Sequence, residues 1–157
     1  MCFFMYLALG AGIVMVLATP VATSFLVGDQ TDAEALALAA QGERLDYGLR
    51  PVTLGPAGDL ILGIVACALV LLALGVLLRE SVAGRLDRGW WWVLAQLMTI
   101  AVIVGFSWRV VTAGGIGANI GEGLVIIFFG PIALGLLIGS AVQADRLVKR
   151  HWGVDVG

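Results

Sequence analysis

The run WWWVLAQLMTIAVIVGFSW, Trp90–Trp108, decides how this chain is read. It carries no charged residue. At about 1.5 Å rise per residue it is long enough, as a helix, to cross a hydrocarbon core of about 30 Å. A second run of the same kind, GLVIIFFGPIALGLLIGSAV (Gly123–Val142), follows a glycine-rich connector, RVVTAGGIGANIGE (Arg109–Glu122). Neither run has a polar face wide enough to meet water, so lipid is the solvent both imply.

Working outward, Leu60–Leu78 contains no charged, amide or hydroxyl side chain, and Phe3–Val27 contains no charge. The first run exceeds the hydrocarbon thickness and can tilt to fit. Composition agrees: 61% hydrophobic and 13% charged, with mean hydropathy +1.04. Soluble domains carry about 25% charged residues. The expected fold is all-α: one integral membrane bundle of four transmembrane helices, at about 3–27, 60–78, 90–110 and 122–142.

The first run has a competing reading as a secretory signal, since Ala18-Thr-Pro-Val-Ala22 loosely resembles a cleavage site. Its length and the lack of a basic start favour a retained span. An upstream start would also account for the missing basic residues. Thr19-Pro20 and Gly130-Pro131 predict kinks, because proline removes a backbone donor. Ala8/Gly12 and Gly135/Gly139 are small-xxx-small pairs that permit close helix contact.

Residues 28–59 form the sizeable polar segment. Thr31-Asp-Ala-Glu34 fits a capping box, and the alanine-rich run after it ends at Gly42. This predicts a short external amphipathic helix at about 32–41, resting on the membrane surface through Leu36 and Leu38. Asp59 is placed to cap the next helix.

Charge sets the expected topology. Arg79, Arg85, Arg88, Arg146, Lys149 and Arg150 fall on one side; Arg44, Arg50 and Arg109 fall on the other with most of the acids. Basic loops stay cytoplasmic. Both termini are therefore expected inside a cell membrane, with loop 79–89 and tail 143–157, and segment 28–59 outside. Trp90-Trp91-Trp92 fits an interfacial belt.

Few polar groups enter the spans. Gln96 and Thr99 are three residues apart and are expected on one face, with Ile103 and Phe106, pointing into the bundle. There they act as helix contacts, or line a path. Arg109 and Glu122 lie at the two ends of the connector and are expected to pair near the outer interface, fixing the hairpin. As a functional site, Arg109 would bind an anion or lipid headgroup, helped by the amides of Gly114, Gly115 and Gly117.

Several chemistries are disfavoured. The single histidine, His151, is in the tail, so two histidines cannot hold a haem within one chain. No cluster has metal-ligand spacing, and Ser107 and Thr99 have no base in reach. Cys2 and Cys67 should lie at different depths and remain unbridged. A net charge of -2 without a basic face argues against nucleic acid. No cofactor and no enzymatic activity are expected. The reading is an accessory, regulatory or scaffolding membrane subunit whose partners are the bilayer and another membrane protein or a second copy. The alternative is a small oligomeric transporter or channel, lined by Gln96 and Thr99, with Arg109 at its outer mouth.

Overall fold

The computed structural model describes residues 2–42, 44, 46–115 and 118–152, with side chains described for 6–42, 44, 47–115 and 121–150. The chain is helical, with helices α1 (Cys2–Val27), α2 (Ala33–Ala40), α3 (Pro56–Val82), α4 (Arg88–Val111), α5 (Ala118–Leu124) and α6 (Gly130–Trp152). A π-helical turn, Val125–Phe129, joins α5 to α6. Among the described residues, four helical segments are long and apolar enough to cross a membrane: Tyr6–Val27, Pro56–Val82, Arg88–Val111 and Gly121–Arg150. The chain thus has the character of a multi-pass membrane protein.

Helix boundaries follow local chemistry. α1 ends at Gly28, whose φ of 74° suits a residue without Cβ. The Gln30 side chain reaches back to Val27 O at 2.9 Å, satisfying one terminal carbonyl. α3 starts earlier than expected, at Pro56, where proline's missing N–H costs nothing. Its N-cap is Gly55, not Asp59. Asp59 instead accepts from Leu54 N at 2.9 Å and from the Thr53 hydroxyl at 2.5 Å, closing the entry loop. Asp87 caps α4 by accepting from Gly89 N at 2.6 Å. The non-helical part of the 79–89 connector shrinks to a few residues, and α6 continues through much of the tail.

The two prolines expected to kink a span act differently. Pro20 sits inside a continuous α1, where Thr19 donates its hydroxyl to Met15 O at 2.7 Å. Before Pro131 the helix widens into the π turn, so the predicted kink appears as a change of helical pitch.

The helices pack in a row. α3 lies on α1, α1 on α4, and α4 on α6. Met15, Ala73 and Leu77 form a small core at α1 and α3, covered from α4 by Trp91, Leu94 and Met98. The Trp91 indole also donates to Ser81 Oγ at 3.0 Å, linking α4 to α3. The packing of α6, by contrast, is mainly against α4 and the π turn.

The loops at the opposite end are joined to each other. A two-residue antiparallel bridge pairs β1 (Asp46–Tyr47) with β2 (Gly114–Gly115). Asp32 N donates to Gly114 O at 3.2 Å, and Leu49 N to Val111 O at 3.1 Å. α2 forms near its expected place and buries Ala35, while Leu36 is exposed. The capping box does not form. Thr31 donates to Asp29 Oδ1 at 2.7 Å and accepts from Gly114 N at 3.2 Å, a tertiary contact that displaces the local one.

Candidate functional site

An open groove of about 570 Å³ lies between α1, α3 and α4 at this loop end. Its formation depends on Gly105. A Cβ there would collide with the backbone oxygen of Pro20 and the Cβ of Thr23, so only glycine allows α4 this near to α1. Gly63 on α3 similarly receives the ring of Phe25. These two close approaches fix the groove's floor, and both glycines line it.

Arg109 is four residues beyond Gly105 and therefore on the same face of α4. That face turns it toward α1, where its Nε donates to Ser24 O at 2.6 Å. The last turn of α4 is a favourable place for a cation, because the helix dipole leaves negative charge there. Asp59 enters the groove from the first turn of α3, the favourable end for an anion. Apolar walls come from Phe25, Leu60, Leu62, Val104 and Trp108.

The expected pairing of Arg109 with Glu122 does not occur among the described residues. Glu122 lies beside Gly48, whose added Cβ would come within 3.1 Å of its Oε2. The expected amide assistance is also absent where it is described: Gly114 donates to Thr31, and Gly114 and Gly115 are engaged in the bridge. Gly117 lies outside the described residues. Neither Asp59 nor Ser24 carries a site signal in the sequence. Asp59 reads locally as a cap, and Ser24 contributes through its backbone, which leaves no mark in sequence.

Gln96 and Thr99 are separated rather than joined in a path. Gln96 Oε1 packs on Gly139 of α6, 3.2 Å from where a Cβ would stand. This oxygen is buried without a hydrogen-bond partner, as is Oε1 of Gln143 one turn further along α6. Thr99 is exposed and donates to Ala95 O of its own helix at 2.9 Å. The expectation that both point inward therefore holds for Gln96 and fails for Thr99. In hydrocarbon a hydroxyl can satisfy itself on its own helix, so nothing draws Thr99 inward. The small pair on α6 is divided too: Gly139 meets Gln96, whereas a Cβ on Gly135 would meet nothing within 4 Å.

In the loop that follows α1, Asp29 is held below the ordinary 3.8 by the Thr31 hydroxyl first, then by the Thr31 amide and the charge of Arg109, with partial burial opposing. A lowered folded-state pKa contributes stability above the ordinary value, which is lost as pH falls through the folded one. Melting of the detergent-solubilised protein should therefore drop below about pH 4, and Thr31→Val should flatten that drop. Thermal scans between pH 7 and pH 3 test it; equal pH profiles for the two proteins would count against it.

Among the described residues no cluster of His, Cys, Asp and Glu is placed to hold a metal ion. Cys67 is a free thiol within α3. No protein-family model matches the chain, and no curated protein or solved structure is significantly similar to it.

Proposed function

We propose that this protein is a non-enzymatic integral membrane subunit with an accessory, regulatory or scaffolding role, and that α6 presents its open side to a membrane-protein partner or a second copy. One observation carries this reading. Only 6% of the most apolar window of the fourth span is buried inside the chain. The exposed side includes Gly135, where a partner backbone could approach closely. The proposed setting is a cell membrane, with both termini cytoplasmic and segment 28–59 outside, as the arginine distribution favours. A transport path along Gln96 and Thr99 is less well supported, because Gln96 packs on Gly139 and Thr99 bonds to its own helix.

Gly135→Leu should reduce assembly while leaving the melting of the isolated chain within about 0.5 kcal/mol of wild type. Gly139→Leu should lower intrinsic stability by about 1 kcal/mol, because it must displace the Gln96 side chain. Cysteine crosslinking along α6 in native membranes reads assembly, and thermal scans in detergent read stability. Unchanged crosslinking in Gly135→Leu would refute the subunit reading.

A further inference from the structure

The groove between α1, α3 and α4 brings opposite charges together without letting them touch. Arg109 and Asp59 line the same groove, yet they form no ion pair among the described residues. Asp29 follows the groove-lining Gly28 in the chain and feels the charge of Arg109. The groove thus sets Arg109 with the carboxylate of Asp59, and a second carboxylate belongs to the residue next to its lining. A simple anion would be attracted by Arg109 and repelled by both acids, and a simple cation would meet the reverse. A ligand that carries both charges satisfies both sides.

The remaining hydrogen-bonding capacity has the same character. Arg109 uses Nε on Ser24 O, and among the described residues its terminal nitrogens have no acceptor. That end of a guanidinium suits the paired oxygens of a phosphate. Each Asp59 oxygen accepts one hydrogen bond, from Leu54 N and from the Thr53 hydroxyl. A carboxylate oxygen can accept a second, which suits an ammonium with N–H donors. The apolar wall of Phe25, Val104 and Trp108 sits beside these groups, and Leu60 leads from it to exposed apolar surface.

We propose that this groove binds a zwitterionic phospholipid with a primary-amine headgroup. Its phosphate meets Arg109, its ammonium meets Asp59, and its first acyl carbons lie against Phe25, Val104 and Trp108. A trimethylammonium head carries the charge but has no N–H to give Asp59, so it binds less well. A headgroup with phosphate and no amine leaves the acids unbalanced. The site is independent of any subunit role, since it lies at α1, α3 and α4 and not on the open side of α6.

The test is native mass spectrometry of the full chain after reconstitution with equal parts phosphatidylethanolamine, phosphatidylcholine and phosphatidylglycerol. Wild type should retain phosphatidylethanolamine about tenfold over either competitor, the effect of one charge-assisted hydrogen bond. Asp59→Asn, nearly isosteric, should bring phosphatidylethanolamine and phosphatidylcholine within about twofold of each other. Arg109→Gln should lose all three. Equal retention of the three lipids by wild type would overturn the proposal, as would preference for phosphatidylglycerol or undiminished selectivity in Asp59→Asn. The wild-type comparison decides the matter even if Arg109→Gln fails to fold.

Discussion

Gly105→Leu is expected to destabilise the detergent-solubilised protein by at least about 1–3 kcal/mol. The new side chain would have to occupy space held by the backbone oxygen of Pro20 and the Cβ of Thr23. A flexible side chain could swing aside, but a helix backbone can yield only if α4 shifts away from α1. That shift would also stretch the bond from Arg109 to Ser24 O and open the groove. Gly10→Leu and Gly75→Leu are the controls, because a Cβ at either position meets nothing within 4 Å. Thermal unfolding of the three variants checks this. Equal melting temperatures would mean that α1 and α4 do not meet at Gly105.

The second large effect is expected at the opposite end of the helices, where α3 finishes. Glu80 closes α3 with its side chain only 3% exposed, and Arg85 reaches it at 3.2 Å while remaining 42% exposed. Arg85→Ala leaves the carboxylate buried without this cation, at a cost of about 1–3 kcal/mol. That is below the range for a fully buried pair, because Arg85 itself is half in solvent. Glu80→Gln on the Arg85→Ala background should recover part of the loss, since the neutral amide is less costly to bury. Arg79 is exposed, so Arg79→Ala should change stability by less than about 0.5 kcal/mol. Identical losses for Arg79→Ala and Arg85→Ala would show that burial of Glu80 does not govern the effect.

Glu80 also shows where a sequence stops being legible. Beside Arg79 it reads as the polar end of a span, and nothing local says that it turns inward. Arg109 is similar. Its position in the last turn of α4 follows from the apolar run before it. Its partner does not, because Glu122 is nearer in the chain and carries the opposite charge. The face it shares with Gly105 decided the matter, and that face is dictated by the contact with Pro20. The bridge between β1 and β2 was likewise unreadable, since two-residue strands leave no periodic pattern.

Gln96 and Thr99 mark the boundary from the other direction. Spacing placed them near one another on α4, but spacing leaves an arc wide enough for one to be buried and the other exposed. Gly139 received Gln96, while Thr99 had a carbonyl of its own helix within reach.

By itself the amino-acid sequence determined that this polypeptide forms four long apolar helices, because hydrocarbon-length runs without charge have no other solvent in which their backbone and side chains are both satisfied. Glycine and proline marked some of their boundaries, at Gly28 and Pro56, but Pro20 passes inside a continuous helix. The order in which they lie side by side, the partner of Arg109 and the groove with its opposed charges were decided by tertiary structure. Those features depend on which glycines allow two backbones to approach, and that is a property of pairs of helices rather than of any one stretch of chain.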